Sequence, residues 1–85
     1  MIVRVKLFAS LRRFAPNGKP GVPHIPGAGF EVDLRDGATL RELIAVLEIP
    51  AEEARVAFVN GITHDLNWEL KPKDEVGLFP PVGGG

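Results

Sequence analysis

The chain is 85 residues long, 45% apolar and 25% charged, with a formal net charge of −1. That is one domain, near the lower size at which a single core suffices. It has no cysteine, which excludes disulfides, thiolate metal sites, and a thiol of its own as nucleophile or sulfur donor.

Taken in order, Ile2, Val3, Val5, Leu7 and Phe8 surround Arg4 and Lys6 in an alternating, β-branched run that reads as a strand. The run is too short and too charged for a signal-peptide core or a membrane span. A cytoplasmic protein without membrane contact is therefore expected. Acidic and basic residues are mixed along the chain, which leaves no basic stripe for nucleic acid. The next stretch, FASLRRFAP, suits a turn of helix stopped by Pro16, and Pro16–Gly29 is too rich in proline and glycine for a helix interior or a central strand. It reads as a long surface loop. In FEVDLRDG, Phe30, Val32 and Leu34 alternate with Glu31, Asp33 and Arg35, a second strand closed by Asp36-Gly37.

Thr39 followed by Glu42 predicts a capping box, with reciprocal bonds to otherwise unpaired amides. Leu40, Leu43, Ile44 and Leu47 then form one apolar helical stripe, and Pro50 ends the helix or begins the next turn. PAEEA suits a further short turn. VAFV is a strand, Asn60-Gly61 is a two-residue hairpin signal, and ITHD suits a short return strand. Trp68 and Leu70 belong to the core or its rim. EVGLF is the last strand, ended by Pro80-Pro81. The order is strand, strand, helix, strand, short strand, strand. It predicts an α+β fold, a ubiquitin-like β-grasp in which one main helix covers a mixed sheet of four to five strands. The first and last strands are expected side by side in its middle. Residues 1–82 form the predicted domain, and 83–85 a flexible glycine tail.

No internal active site is apparent. His24 falls in the Pro/Gly loop and His64 beside the hairpin, without metal-ligand spacing. Ser10, His64 and Asp65 lack the context of a nucleophile, Glu52 and Glu53 read as a solvated turn, and the glycine-containing loops lack a phosphate-binding motif. What remains is the end of the chain, FPPVGGG. Two prolines remove two amide donors and fix φ, so the backbone leaves the sheet extended. Val82–Gly85 then reaches about 13 Å, through passages too narrow for residues with a Cβ. A partner enzyme can bring such a carboxylate to ATP, and an acyl-adenylate is open to attack by a sulfur, amine or thiol nucleophile.

DEVGLFPPVGGG, with VNG upstream and LFASLRRF after the first strand, resembles the small sulfur-carrier subunit of molybdopterin synthase. That subunit is one of the ubiquitin-like sulfur carriers, a group that includes the thiamine-thiazole carrier. FPPV before the terminal glycines is the most specific part, and the element order agrees over nearly the whole chain. The resemblance implies a carrier that is not itself an enzyme and binds no cofactor. An E1-like enzyme would use ATP to adenylate Gly85, a sulfur-transfer enzyme would convert it to a thiocarboxylate, and the large synthase subunit would accept the tail. Gly84 would give clearance. Phe79, Pro80, Pro81, Val82 and Gly83 would dock and space the tail, and Phe8 and Arg12 match positions used near the partner surface. Phe8 and Phe79 read equally well as core residues. Gly83 and the long Pro16–Gly29 loop depart from the family pattern, and the loop leaves open a different partner. Three alternatives stand beside molybdopterin: a carrier for thiazole or another sulfur pathway, a ubiquitin-like protein modifier, and an interaction module with an incidental tail.

Overall fold

The computed structural model describes residues 1–14 and 29–81. The predicted loop through residue 28, with His24, and the tail residues Val82, Gly83, Gly84 and Gly85 lie outside the described residues. Five strands form one sheet: β1 (Ile2–Leu7), β2 (Phe30–Asp33), β3 (Val56–Val59), β4 (Ile62–His64) and β5 (Glu75–Phe79). Their spatial order is β2-β1-β5-β3-β4. β1 and β5 run parallel at the centre, and the other pairs are antiparallel. The fold is a ubiquitin-like β-grasp with the first and last strands adjacent, as the pattern predicted.

One helix, α1 (Leu40–Val46), covers one face of this sheet. Val3 and Val5 from β1, Phe30 from β2, Ala57 and Val59 from β3, and Val76 and Leu78 from β5 point to that face. They meet Leu40, Leu43 and Ile44 of the predicted stripe, all buried, while Leu47 packs half-buried against them. Alternation with period two assigns one face of each strand to this core and leaves the other open. Leu70 joins the core, whereas Trp68 lies at its rim, stacked on His64 at 3.7 Å.

The start of α1 carries the predicted capping box. Thr39 Oγ1 accepts from the Glu42 amide at 3.3 Å, and the Thr39 backbone amide in turn favours the charged Glu42 carboxylate. Both Glu42 carboxylate oxygens also accept from Arg35, Oε2 from Nε at 2.7 Å and Oε1 from Nη2. That two-point, charge-assisted pairing is the stronger hold on the side chain. The helix also ends before Pro50. Glu48 takes a left-handed conformation at φ 61, its amide donates to the Ala45 carbonyl at 3.0 Å, and the Ile49 amide donates to Ile44 at 2.9 Å. This is a Schellman ending with glutamate where glycine is usual. Pro50 opens a short 3₁₀ turn, Ala51–Glu53, the second of its two expected roles.

The Asn60-Gly61 hairpin forms with both residues at positive φ, 52 and 85. Gly29, the last residue of the predicted loop, enters β2 at φ 80 and so close to β1 that a Cβ would lie 2.6 Å from the Val5 carbonyl oxygen. Only glycine fits there.

The base of β5 is tied by Asp74. Its Oδ1 accepts from Asn60 Nδ2 at 2.9 Å and its Oδ2 from the Lys71 amide at 2.8 Å. Asn60 Oδ1 in turn accepts from the Glu75 amide at 3.0 Å. The hairpin turn and the turn before β5 are thereby joined by one acceptor-only side chain.

Candidate functional site

The open face of the sheet carries the chemistry that alternation leaves over. On β1 it presents Arg4 and Lys6, on β5 Glu75, Gly77 and Phe79, and on β3 Phe58. Registers fix their neighbourhood: Gly77 stands opposite Lys6 on one side and Phe58 on the other. Phe79 is opposite Val56, so β5 stays paired through its last residue.

Phe8 extends this face beyond β1. Its amide donates to the Leu78 carbonyl at 3.1 Å, which continues the central ladder by one step. Ala9 then turns the chain at φ 53 into a 3₁₀ helix, Ala9–Phe14. Leu11, fully buried, anchors that helix against the core. The Phe8 ring lies parallel to Phe79, with centroids 4.3 Å apart and planes 4° apart. Phe58 meets Phe79 edge-on at 5.5 Å and 75°. Three half-buried phenyl rings thus line an open depression of about 290 Å³, floored by Gly77 and rimmed by Arg4, Lys6 and Glu75. Arg4 Nη2 lies 3.6 Å from Glu31 Oε2.

Phe8 and Phe79, which the sequence placed equally in a core or on a partner surface, therefore stand together outside the buried core. Pro80, half-buried, and Pro81, exposed, follow Phe79 directly. Arg12 is exposed on the 3₁₀ helix and does not line the depression. Its neighbour Arg13 pairs with Glu53 and donates to the Ser10 carbonyl at 3.0 Å. Phe58 and Gly77 are the residues that sequence reasoning missed. The alternation in VAFV and EVGLF holds the signal, since Ala57 and Val59 face the core and their neighbours cannot.

Elsewhere the chemistry is sparse. Ser10 follows β1, whereas His64 lies on β4, with β5 and β3 between, so the Ser10, His64 and Asp65 set is not assembled. Among the described residues, no group of three His, Asp or Glu side chains is placed to hold a metal ion. No helix among them is long and apolar enough to cross a membrane.

A β-grasp sheet with an aromatic open face, ending in a strand that runs straight into two prolines, defines a ubiquitin-like domain. The chain belongs to the ThiS family, whose model matches residues 5–85. It is a ubiquitin-like sulfur-carrier chain by that membership. Among solved structures it is similar to a Pyrococcus furiosus protein provisionally assigned as molybdopterin converting factor, subunit 1. The two are 32% identical over 95% of this chain and 98% of that one, with a TM-score of 0.65. It is also similar to SAMP1 from Haloferax volcanii, 27% identical over 100% of both chains, with a TM-score of 0.66. No curated protein matches the chain.

Proposed function

We propose that the protein carries sulfur on its last residue and delivers it, as the small, non-catalytic subunit of a molybdopterin synthase, for a molybdenum or tungsten cofactor. The observation that carries this reading is the family match running to Gly85. The carboxylate of Gly85 attacks the α-phosphate of ATP on an E1-like enzyme, pyrophosphate leaves, and an acyl-adenylate forms. The outer sulfur of a persulfide on a sulfur-transfer enzyme attacks the acyl carbon and displaces AMP to give an acyl disulfide, and a second thiol of that enzyme then attacks the inner sulfur, which leaves an enzyme disulfide and releases the thiocarboxylate. The chain has no cysteine, so the sulfur must come from outside. Phe8, Phe58 and Phe79 dock the partners, Arg12 adds an exposed cation on the 3₁₀ helix that follows Phe8, and Pro80, Pro81, Val82 and Gly83 space the tail. Gly84 gives the clearance that lets Gly85 enter an active site. The acceptor is favoured by the description of the Pyrococcus protein.

Intact mass spectrometry tests this after incubation with an E1-like enzyme, ATP and a sulfur source. A mass gain matching one oxygen replaced by sulfur, lost on deletion of Gly85, is expected. Gly84→Val should abolish the gain without shifting the melting curve. No gain with a competent activating enzyme refutes the carrier reading. Higher-mass conjugates on a denaturing gel would instead assign a protein modifier, and sulfur transfer to a thiazole precursor but not to a pterin would assign the other branch.

A further inference from the structure

Gly77 sits in the middle of the central strand, paired on both sides. Glycine is a poor choice there, because it loses the most backbone freedom and packs no side chain, while β-branched residues suit the pleat. Backbone conformation does not require it, since Gly77 is not among the positive-φ glycines. Space does. A Cβ at 77 would lie 3.3 Å from Phe8 Cε2 and 4.0 Å from Phe79 Cε2. The Phe8 ring occupies the room that a side chain at 77 would fill.

We propose that Gly77 is a positioning residue: by carrying no side chain it seats the Phe8 ring flat on Phe79 and so shapes the face that docks the adenylating partner. This rests on the carrier reading above. The position is separable from the core, because its neighbours Val76 and Leu78 point to the other side of the sheet. Beyond Phe8, at the strand end, Ala9 at φ 53 turns the chain into the 3₁₀ helix. An alanine at 77 asks the ring to shift by a few tenths of an ångström. A valine places branched carbons where the ring lies and evicts it.

The test is a graded series, Gly77→Ala and Gly77→Val, on the full chain. Three quantities are measured: the thermal midpoint, nuclear Overhauser contacts between the Phe8 and Phe79 rings, and ATP–pyrophosphate exchange by the E1-like enzyme at varied carrier concentration. The midpoint of Gly77→Val should stay within about 5 °C of wild type or rise, as strand propensity offsets the lost ring pair. The ring contacts should weaken in Gly77→Ala and vanish in Gly77→Val. The KM for the carrier should rise about tenfold or more in Gly77→Val, the scale of losing one aromatic anchor, with kcat little changed. A merely structural glycine would move the midpoint and leave KM alone. Wild-type KM in Gly77→Val, or ring contacts preserved there, overturns the proposal and leaves the carrier reading standing. Absence of exchange with the wild-type chain overturns the carrier reading, and the docking role of Gly77 with it.

Discussion

Replacing Asp74 with alanine tests whether the base of β5 is held by one side chain. The substitution removes the acceptors for Asn60 Nδ2, at 2.9 Å, and for the Lys71 amide, at 2.8 Å. A buried donor left without a partner costs about 1–3 kcal/mol. Asp74 itself is 9% exposed, but Asn60 and Lys71 reach the surface, so water recovers part of each loss. The low end of the range applies, about 1–1.5 kcal/mol for each donor and about 2–3 kcal/mol for the two together. At about 4–8 °C per kcal/mol for a domain of this size, the midpoint falls by roughly 10–20 °C. Asp74→Asn should lose about half as much: asparagine keeps one acceptor but turns an NH₂ group toward the other donor. Thermal unfolding followed by circular dichroism measures both. The aromatic face gives a control, because Asp74 precedes β5 and Phe79 ends it, about 16 Å away at strand rise. Partner binding below the midpoint should be unchanged. A fall of less than about 4 °C for Asp74→Ala would refute the reasoning, since it would mean both donors find water at no cost.

Leu43 is fully buried between helix and sheet, and Leu43→Ala should cost about 2–5 kcal/mol in denaturant unfolding. An unchanged unfolding curve would contradict the packing described. Glu48→Gly should stabilise the protein by about 0.5–1 kcal/mol, because removing the left-handed cost of about 1–2 kcal/mol outweighs the added freedom of an unfolded glycine. Glu48→Ala keeps the left-handed cost and should change the midpoint far less. The hydrogen bonds from Arg35, and then its charge, hold the Glu42 carboxyl below the ordinary glutamate range. Carboxyl-carbon NMR should therefore show a depressed midpoint for Glu42 that Arg35→Gln returns to normal. In sign, the pair's contribution to stability is present above the ordinary glutamate pKa and disappears as pH falls through the lowered folded value.

The fold was legible wherever one residue type has one physical reason to be present. Alternation in β1 and β5, the Leu40, Leu43 and Ile44 stripe, and the Asn60-Gly61 turn each follow from a period or from a φ sign. The helix ends were less legible, because competing partners decide them. Glu42 had the spacing of a capping box, but its stronger partner, Arg35, lies seven residues upstream. Glu48 takes the position that glycine usually marks, so no glycine announced the end of α1. At the candidate site, composition and spacing favoured neither surface nor core for Phe8 and Phe79. That choice depends on strand register, which puts Gly77 beneath Phe8 and Phe58 beside Gly77. Asp74 was visible only within a motif, and its role needs the turn at Asn60 to come within hydrogen-bonding distance.

On the carrier reading proposed above, β5 is the strand that would let so small a chain present its terminus. Its Val76 and Leu78 are core residues, while Glu75, Gly77 and Phe79 line the open depression. Parallel pairing to β1 and antiparallel pairing to β3 leave it no free edge. Asn60, itself held by Asp74, ties its first residue, and the Phe8 amide bond to Leu78 holds the approach to its last. Loosening the exit would mean breaking hydrogen bonds of the central ladder. The ladder ends at Phe79 because Pro80 and Pro81 offer no amide to prolong it. The orientation of the Phe79 ring and the point where the chain leaves the sheet are set by the same strand. On the carrier reading proposed above, a partner that recognises Phe8, Phe58 and Phe79 thereby also learns where the tail begins.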